Sequence, residues 1–292
     1  MSDLRVTLLA VPNVSEGRDR ATIDAVASAF SSAGARLLDV HSDPDHHRSV
    51  FTLAGEPGRL AHAVLAGTRA AIASVDLSAH DGIHPRVGAV DVAPIVYLDR
   101  ADRGAACAEA LVLADLLGAE LALPVFMYGE LAQGRTRAEL RRGGPAALAN
   151  RVASGELRPD FGPPTVDPEQ GAVLVAARPP LVAFNVELAP PATLEVARAI
   201  AARIRESGAE GLTGVRAIGL WLETAGVAQI STNIEDFRAT PPAAVVAAIA
   251  RHARPSAAEL VGLAPKDAFE GFPEQLPMRN LRLIEDALAG TA

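Results

Sequence analysis

The sequence predicts an α+β protein made of two like-built subdomains that meet near residue 180. Three observations carry this. Apolar runs of strand length and helical apolar faces follow one another as β-α-β-β-α-β over residues 4–98, and the same order returns over residues 181–263. Between the two lies a turn-rich stretch, Arg158–Gly171, and then a second break at Arg178-Pro-Pro180. The composition, 49% hydrophobic and 21% charged over 292 residues, is that of a globular chain with room for two ordinary domains. The expected division is 1–179 and 180–292. Such an order folds as a split β-α-β sandwich with its helices on one sheet face. A cleft between two such sheets is the default ligand site.

Each element has a local reason. Residues 4–11 are apolar enough for a buried strand, ended by the polar turn Pro12–Gly17. Asp19 is a candidate N-cap for a helix to about residue 33, with Ile23, Val26, Ala27 and Phe30 on one side and Gly34 as its stop. Strands Ala35–Val40 and Ser49–Leu53 bracket a polar turn, Ser42–His47, as a hairpin. A helix over about 58–74 places Leu60, Val64, Ala71 and Val75 on one face, and a strand Val87–Leu98 closes the first set. A helix over 103–118, a strand Val125–Tyr128, helical segments within 136–151 and a strand Ala172–Ala177 follow. The prolines of Arg158–Gly171 exclude a helix interior or a central strand, so an ordered, semi-rigid loop is expected. The second set comprises strand Leu181–Leu188, a helix over 192–206, strands Val215–Leu222 and Val227–Ile234, a helix over 241–252 and strand Glu259–Leu263. Leu281, Ile284 and Leu288 give residues 278–289 the pattern of a short amphipathic helix.

The chemistry concentrates in Ser78–Asp91, which carries His80, Asp81, His84, Arg86 and Asp91. Gly82 and Pro85 exclude a helix that would pair the two histidines as metal ligands. An extended loop would project His84 and Arg86 to the same side, a proton carrier beside an anion clamp. The plain alternative is a polar loop with two solvated histidines. His41, Asp43, Asp45, His46 and His47 add ligand-type side chains on the preceding hairpin, but no HExxH spacing or calcium-loop pattern accompanies them, and no metal is expected. Arg48 and Arg86 are both candidates for bidentate carboxylate binding.

Other classes fall away. A net charge of −8 with a pI near 5.4 argues against nucleic-acid and anionic-membrane partners. The N-terminal apolar run is too short for a signal peptide or span. Cys107, the only cysteine, allows no intrachain disulfide and fits a reducing cytoplasm as a buried thiol. There is no GxSxG elbow, GxGxxG turn or phosphate-binding loop.

Eight motifs in order resemble the glutamate formiminotransferase family. Val11-Pro-Asn-Val-Ser-Glu-Gly17, Leu38-Asp-Val40 with Arg48, and His84-Pro-Arg-Val-Gly-Ala-Val-Asp91 resemble its N-terminal subdomain. Tyr128-Gly-Glu130, Asp160-Phe-Gly-Pro163, Ala183-Phe-Asn185, Gln229-Ile-Ser-Thr-Asn233 and Val261-Gly-Leu263 resemble the rest. The resemblance implies two ferredoxin-like subdomains with a substrate tunnel, in a stand-alone form without a cyclodeaminase domain. It implies transfer of the formimino group from N-formimino-L-glutamate to N5 of tetrahydrofolate, the co-substrate, in histidine degradation. His84 falls where the family has its general acid/base. The donor falls to Asn13, Asp39, His41, Arg48 and Arg86. Folate falls to Gly162, Pro163, Pro164, Thr165, Val166, Asp167, Pro168, Glu169, Gln170 and Gly171, with Asn185. The chain departs from the fused animal enzyme at His41 and His47, where that enzyme has an acid and an amide. The alternatives are a different formimino donor or a non-catalytic folate-binding protein. The partners expected are small molecules, and a homodimer is compatible with the sequence.

Overall fold

A computed structural model describes residues 6–77 and 80–290. Leu4 and Arg5 of the expected first strand, and Ser78 and Ala79 of the histidine loop, lie outside the described residues. The chain is α+β and divides into two compact units, residues 1–179 and 180–292, each with its own sheet.

In the first unit, β1 (Leu8–Ala10) and β2 (Asn13–Val14) are two pieces of one strand. Both lie between β4 (Arg48–Gly55) and β5 (Val90–Tyr97), antiparallel to each. The break falls at Pro12, which has no N–H to give the ladder, and pairing resumes at Asn13 where the sequence suggested a turn. α1 (Arg20–Ser32) starts on Asp19, whose carboxylate accepts the N–H groups of Ala21 and Thr22. β3 (Arg36–Asp43) pairs with β4 as far as Asp43 opposite Arg48, so the hairpin is longer than expected and His41 sits in a strand, not a loop. α2 (Leu60–Ser74) is capped from a distance: the buried Glu109 carboxylate of α3 (Arg103–Leu121) accepts from the N–H groups of Gly58 and Ala61 at 2.6 and 2.7 Å.

Beyond β5 come β7 (Val173–Arg178) and then β6 (Val125–Met127), both parallel additions. The sheet therefore runs β3-β4-(β1,β2)-β5-β7-β6, whose first four positions are the ferredoxin-like order. Helices α1, α2 and α3 pack on one face over Phe30, Phe51, Leu53, Ile95 and Leu113. On the other face α4 (Arg137–Arg141) and α5 (Gly144–Ala153) cover the β7–β6 end, through Leu140, Leu148 and Val152 against Phe126 and Leu174. Cys107 packs at the rim of the first core rather than fully inside it.

Two β-bulges adjust the sheet. Leu37 pairs with Leu53 and Asp39 with Thr52, leaving Leu38 as an extra residue. Asn13 pairs with Val92 and Val14 with Val90, leaving Asp91 extra. The strand expected from Val87 accordingly begins at Val90.

The second unit repeats the order with β8 (Val182–Leu188), α6 (Leu194–Ile204), β9 (Val215–Leu222), β10 (Val227–Ile234), α7 (Pro242–Ala250) and β11 (Pro255–Val261). Its sheet runs β12-β11-β8-β10-β9, and Phe184, Val186, Ile200, Ile230, Val245 and Ile249 form its core. The expected helix over 278–289 is corrected. Met278–Arg279 is β12, parallel to β11, and only Ile284–Ala289 is helical, as α8. The Pro277 carbonyl accepts the Ala258 N–H at 2.8 Å, which draws this segment onto the sheet edge, and Asn280 at φ +56° then turns it away. β11 likewise starts four residues before the apolar run at Glu259, because Pro255 is accepted at a strand's first position.

Candidate active site

Directly opposed residues of a β-ladder share a face. The registers therefore define one polar row: Asp39 opposite Thr52, His41 opposite Val50, Asp43 opposite Arg48, and Asn13 opposite both Val50 and Val92. Phe51 and Leu53 alternate with this row and point into the α1–α3 core, so the row lies on the opposite face. The fold thus brings Asn13, Asp39, His41 and Arg48 together. Asp39 and His41 are buried, and the buried Thr52 hydroxyl has no hydrogen-bond partner among the described residues. The turn before α1 presses onto this hairpin. A Cβ on Gly17 would lie 2.3 Å from the Asp43 carbonyl oxygen and 2.5 Å from the Arg48 nitrogen, so only glycine fits. The Ser49 hydroxyl donates to the Glu16 carbonyl at 2.6 Å and fastens the same turn.

Arg48 reaches His84, with Nη1 2.6 Å from the imidazole Nε2. A guanidinium only donates, so Nε2 accepts and His84 is neutral with its proton on Nδ1. Burial holds the His84 imidazole well below its usual range. The positive charges of Arg48 and Arg141 and the nearby His46 push the same way, and a hydrogen bond to Pro85 opposes them. Burial also brings Arg48 down to about 10, against the pull of Asp91.

Two partnerships here carry no sequence signal of their own. Asp91, 1% exposed, accepts Arg141 through both carboxylate oxygens and the Val87 N–H at 3.0 Å. The bulge at Asp91 turns this carboxylate toward α4, which supplies Arg141. His46, in the hairpin loop, places Nδ1 2.7 Å from Asp43 Oδ2, while its own backbone N–H donates to Asp43 Oδ1 at 2.9 Å. Burial raises the Asp43 carboxyl, but the hydrogen bonds and charge of His46 outweigh it and hold the group at about 2. The His46 and His84 ring centroids are 6.2 Å apart.

The rest of the histidine loop serves itself. Arg86 donates to the carbonyls of His80 and Gly82, so it does not project beside His84 as an extended loop would have it. His80 donates Nε2–H to the His47 carbonyl at 2.9 Å and accepts the Gly82 N–H on Nδ1 at 3.1 Å, leaving neither nitrogen free. The His47 and His80 rings stack edge to face at 4.2 Å, and His47 Nε2 lies 3.6 Å from Glu16. Among the described residues no group of three or more His, Cys, Asp or Glu side chains could hold a metal ion, and no helix is long and apolar enough to cross a membrane.

The C-terminal end of segment Gly162–Gly171 meets the backbone just beyond His84, while Gly162 packs against Leu123 and Gly118. Ala89 N–H donates to the Gln170 carbonyl at 3.0 Å, Ala172 N–H to the Val87 carbonyl at 2.9 Å, and Gly88 and Gly171 form an isolated bridge. Gly171 adopts φ +76°, and a Cβ there would lie 2.2 Å from the Val87 carbonyl oxygen. Pro164, Thr165, Asp167, Pro168 and Glu169 are exposed, and Pro163, Val166 and Gln170 are half-buried. Asn185 belongs to the second unit. It is buried on β8 between Ser231 and Glu259, and shares its sheet face with Glu187 and Gln229. Gln229 is fully buried, and neither of its amide atoms has a hydrogen-bond partner among the described residues.

Comparison with known proteins places two family models end to end on the chain. The formiminotransferase domain, N-terminal subdomain, matches residues 7–178, and the formiminotransferase domain matches residues 183–273. A glutamate formimidoyltransferase of Thermoplasma acidophilum is 35% identical over 274 residues, covering 88% of each chain. One from Streptococcus pyogenes is 37% identical over 231 residues, covering 78% of this chain and 77% of that protein. A formimidoyltransferase-cyclodeaminase of Gallus gallus is 38% identical over 272 residues, covering 88% of this chain but only 50% of that protein. This chain thus spans about half the length of the cyclodeaminase-bearing relatives.

Proposed function

The chain belongs to the formiminotransferase family, and on that premise we propose that it moves the formimino group of N-formimino-L-glutamate onto N5 of tetrahydrofolate and releases L-glutamate. The observation that carries the mechanism is the 2.6 Å pairing of Arg48 with His84 Nε2. Without an anion, Arg48 occupies the lone pair that a base must use. A donor carboxylate competes for the guanidinium in the bidentate geometry that suits it. As Arg48 turns to that carboxylate, His84 Nε2 becomes free, and the incoming negative charge offsets the arginine field that keeps the imidazole a weak base. The base is therefore unmasked only when the donor is in place.

His84 then accepts the proton that N5 gives up as the N5–carbon bond forms, and the bond from that carbon to the glutamate nitrogen breaks as this nitrogen gains a proton. Asn13, Asp39 and His41, on the same face as Arg48, hold the amidine and the remaining donor atoms. Arg86 supports His84 by fixing the loop carbonyls. Gly162–Gly171, whose C-terminal end is tied to Val87–Ala89 beside the base, forms part of the folate wall. Both substrates must be held in contact, so much of the rate enhancement comes from positioning.

The test is an assay for 5-formiminotetrahydrofolate formed from N-formimino-L-glutamate, run on the wild type beside His84→Ala. The expected result is transfer by the wild type and a loss of at least about 10²-fold in kcat for the variant, with folate affinity retained. Undiminished turnover by His84→Ala would remove the role assigned to it.

A further inference from the structure

We propose that Asp43 and His46 form a second proton carrier of the same site, in which His46 delivers the proton to the departing glutamate nitrogen while His84 takes the one from N5. This rests on the formimino-transfer reading above. Its own support is geometric. The His46 side chain is 3% exposed, and Asp43 fixes it twice, through the ring Nδ1 and through the backbone N–H. Asp43 is the last residue of β3 and sits opposite Arg48 of β4 in the ladder, so the pair is anchored directly beside the carboxylate clamp.

With Nδ1 committed to Asp43, the free end of the ring is Nε2, which is buried and has no hydrogen-bond partner among the described residues. Burying an unmet polar atom carries a desolvation penalty that a hydrogen-bonding ligand would relieve. A carboxylate on one nitrogen and an open second nitrogen is the arrangement of an oriented acid–base histidine. A local turn contact between Asp43 and His46 would account for the first feature but not for the unmet, buried Nε2.

The chemistry gives two carriers separate work. The carbon under attack bears two nitrogens with opposite needs: N5 must lose a proton, and the glutamate nitrogen must gain one before it leaves. The N5–carbon bond forms as the N5 proton passes to His84 Nε2. The carbon–nitrogen bond to glutamate breaks as a proton passes from His46 Nε2 to that nitrogen. One proton has then moved from N5 to the amine, and exchange between the histidines restores the starting state. Rings with centroids 6.2 Å apart can flank one such carbon. The titratable groups that face His46 are the Asp43 carboxylate of β3 and the neutral His84 imidazole of the loop. Beyond His84 stand Arg48 of β4, and Arg141 of α4 with its partner Asp91 of β5.

The two carriers predict a bell-shaped dependence of kcat on pH. The acid limb reports His84, which must be neutral to take the N5 proton, and the alkaline limb reports whichever group gives a proton to the departing nitrogen, so removing His46 tests its identity. The experiment measures kcat and KM against pH for the wild type, His46→Gln and Asp43→Asn, each checked by circular dichroism for a native fold. His46→Gln is expected to lose the alkaline limb and at least about 10²-fold in kcat, with KM for the donor little changed. Asp43→Asn is expected to keep both limbs with the alkaline one moved to lower pH, because the carboxylate no longer favours the imidazolium. An alkaline limb that survives in His46→Gln, at whatever rate, overturns the proposal. If that variant does not fold, an unmoved alkaline limb in Asp43→Asn does the same. A wild type that forms no 5-formiminotetrahydrofolate removes the formimino-transfer reading and this inference together, whereas an active wild type with limbs indifferent to both substitutions removes this inference alone.

Discussion

Arg141 illustrates what separates a legible residue from an illegible one. His84, Arg48, Asp39 and Asn13 stand in short motifs whose residue types already suggest acid–base and anion chemistry. Arg141 lies 50 residues from Asp91, in a five-residue helix whose own pattern marks nothing, and only the bulge at Asp91 brings the two together. Arg86 fails in the opposite way. Alternation along an extended backbone puts it beside His84, but the loop folds back and its guanidinium is spent on carbonyls. The Asp91–Arg141 pair also makes a prediction. Arg141→Met leaves a carboxylate that is 1% exposed without its counter-charge, a change that costs about 3–5 kcal/mol. Urea unfolding of the variant at neutral pH should show that loss. A midpoint equal to wild type would mean that Asp91 finds another donor.

At the level of elements, the type and order of most strands and helices follow from apolar periodicity, while their ends follow from contacts remote in sequence. β9 and β10 fall where expected because a tight hairpin sets its own register. β12 does not, because a two-residue edge strand has no period to read and depends on the Pro277 carbonyl meeting Ala258. The start of α2 has no side-chain cap of its own, and the Glu109 carboxylate that replaces one comes from another helix. The folate role proposed for Gly162–Gly171 can be tested at this scale by two alanines. Gly171 and Gly144 both adopt φ +76°, but a Cβ on Gly171 would strike the Val87 carbonyl, whereas one on Gly144 meets nothing within 4 Å. Gly144→Ala should cost about 1 kcal/mol for the left-handed backbone alone. Gly171→Ala should cost more in thermal unfolding and should weaken folate binding as the segment lifts from Val87–Ala89. Equal effects on stability and on binding would remove the folate role proposed for this segment.

Over the whole molecule, duplication of the β-α-β-β-α-β order is the feature the sequence states most openly, because it needs only the count and sequence of periodic segments. Separate cores make each unit a candidate for its own unfolding transition. The chromophores are distributed to report it: Tyr97 and Tyr128 belong to the first unit, and Trp221, the only tryptophan, belongs to the second. Urea titrations followed by tryptophan emission and by tyrosine absorbance should give two midpoints. Superimposable curves would instead show that the units unfold as one.

The extra residue at Leu38 acts on β3 as an inserted base acts on a reading frame. Strict alternation would put Leu37, Asp39, His41 and Asp43 in one phase, so that a core leucine and the site's carboxylates shared a face. The bulge shifts the frame once, between Leu37 and Asp39, and everything downstream is then read on the correct side. Leu38 is therefore the position in this strand whose removal would leave the frame intact, as a regular ladder. Loss of any one residue from Val40 to Ser42 would instead move Asp39 opposite Phe51, onto the core face, and loss of Ser42 would move His41 out of phase as well.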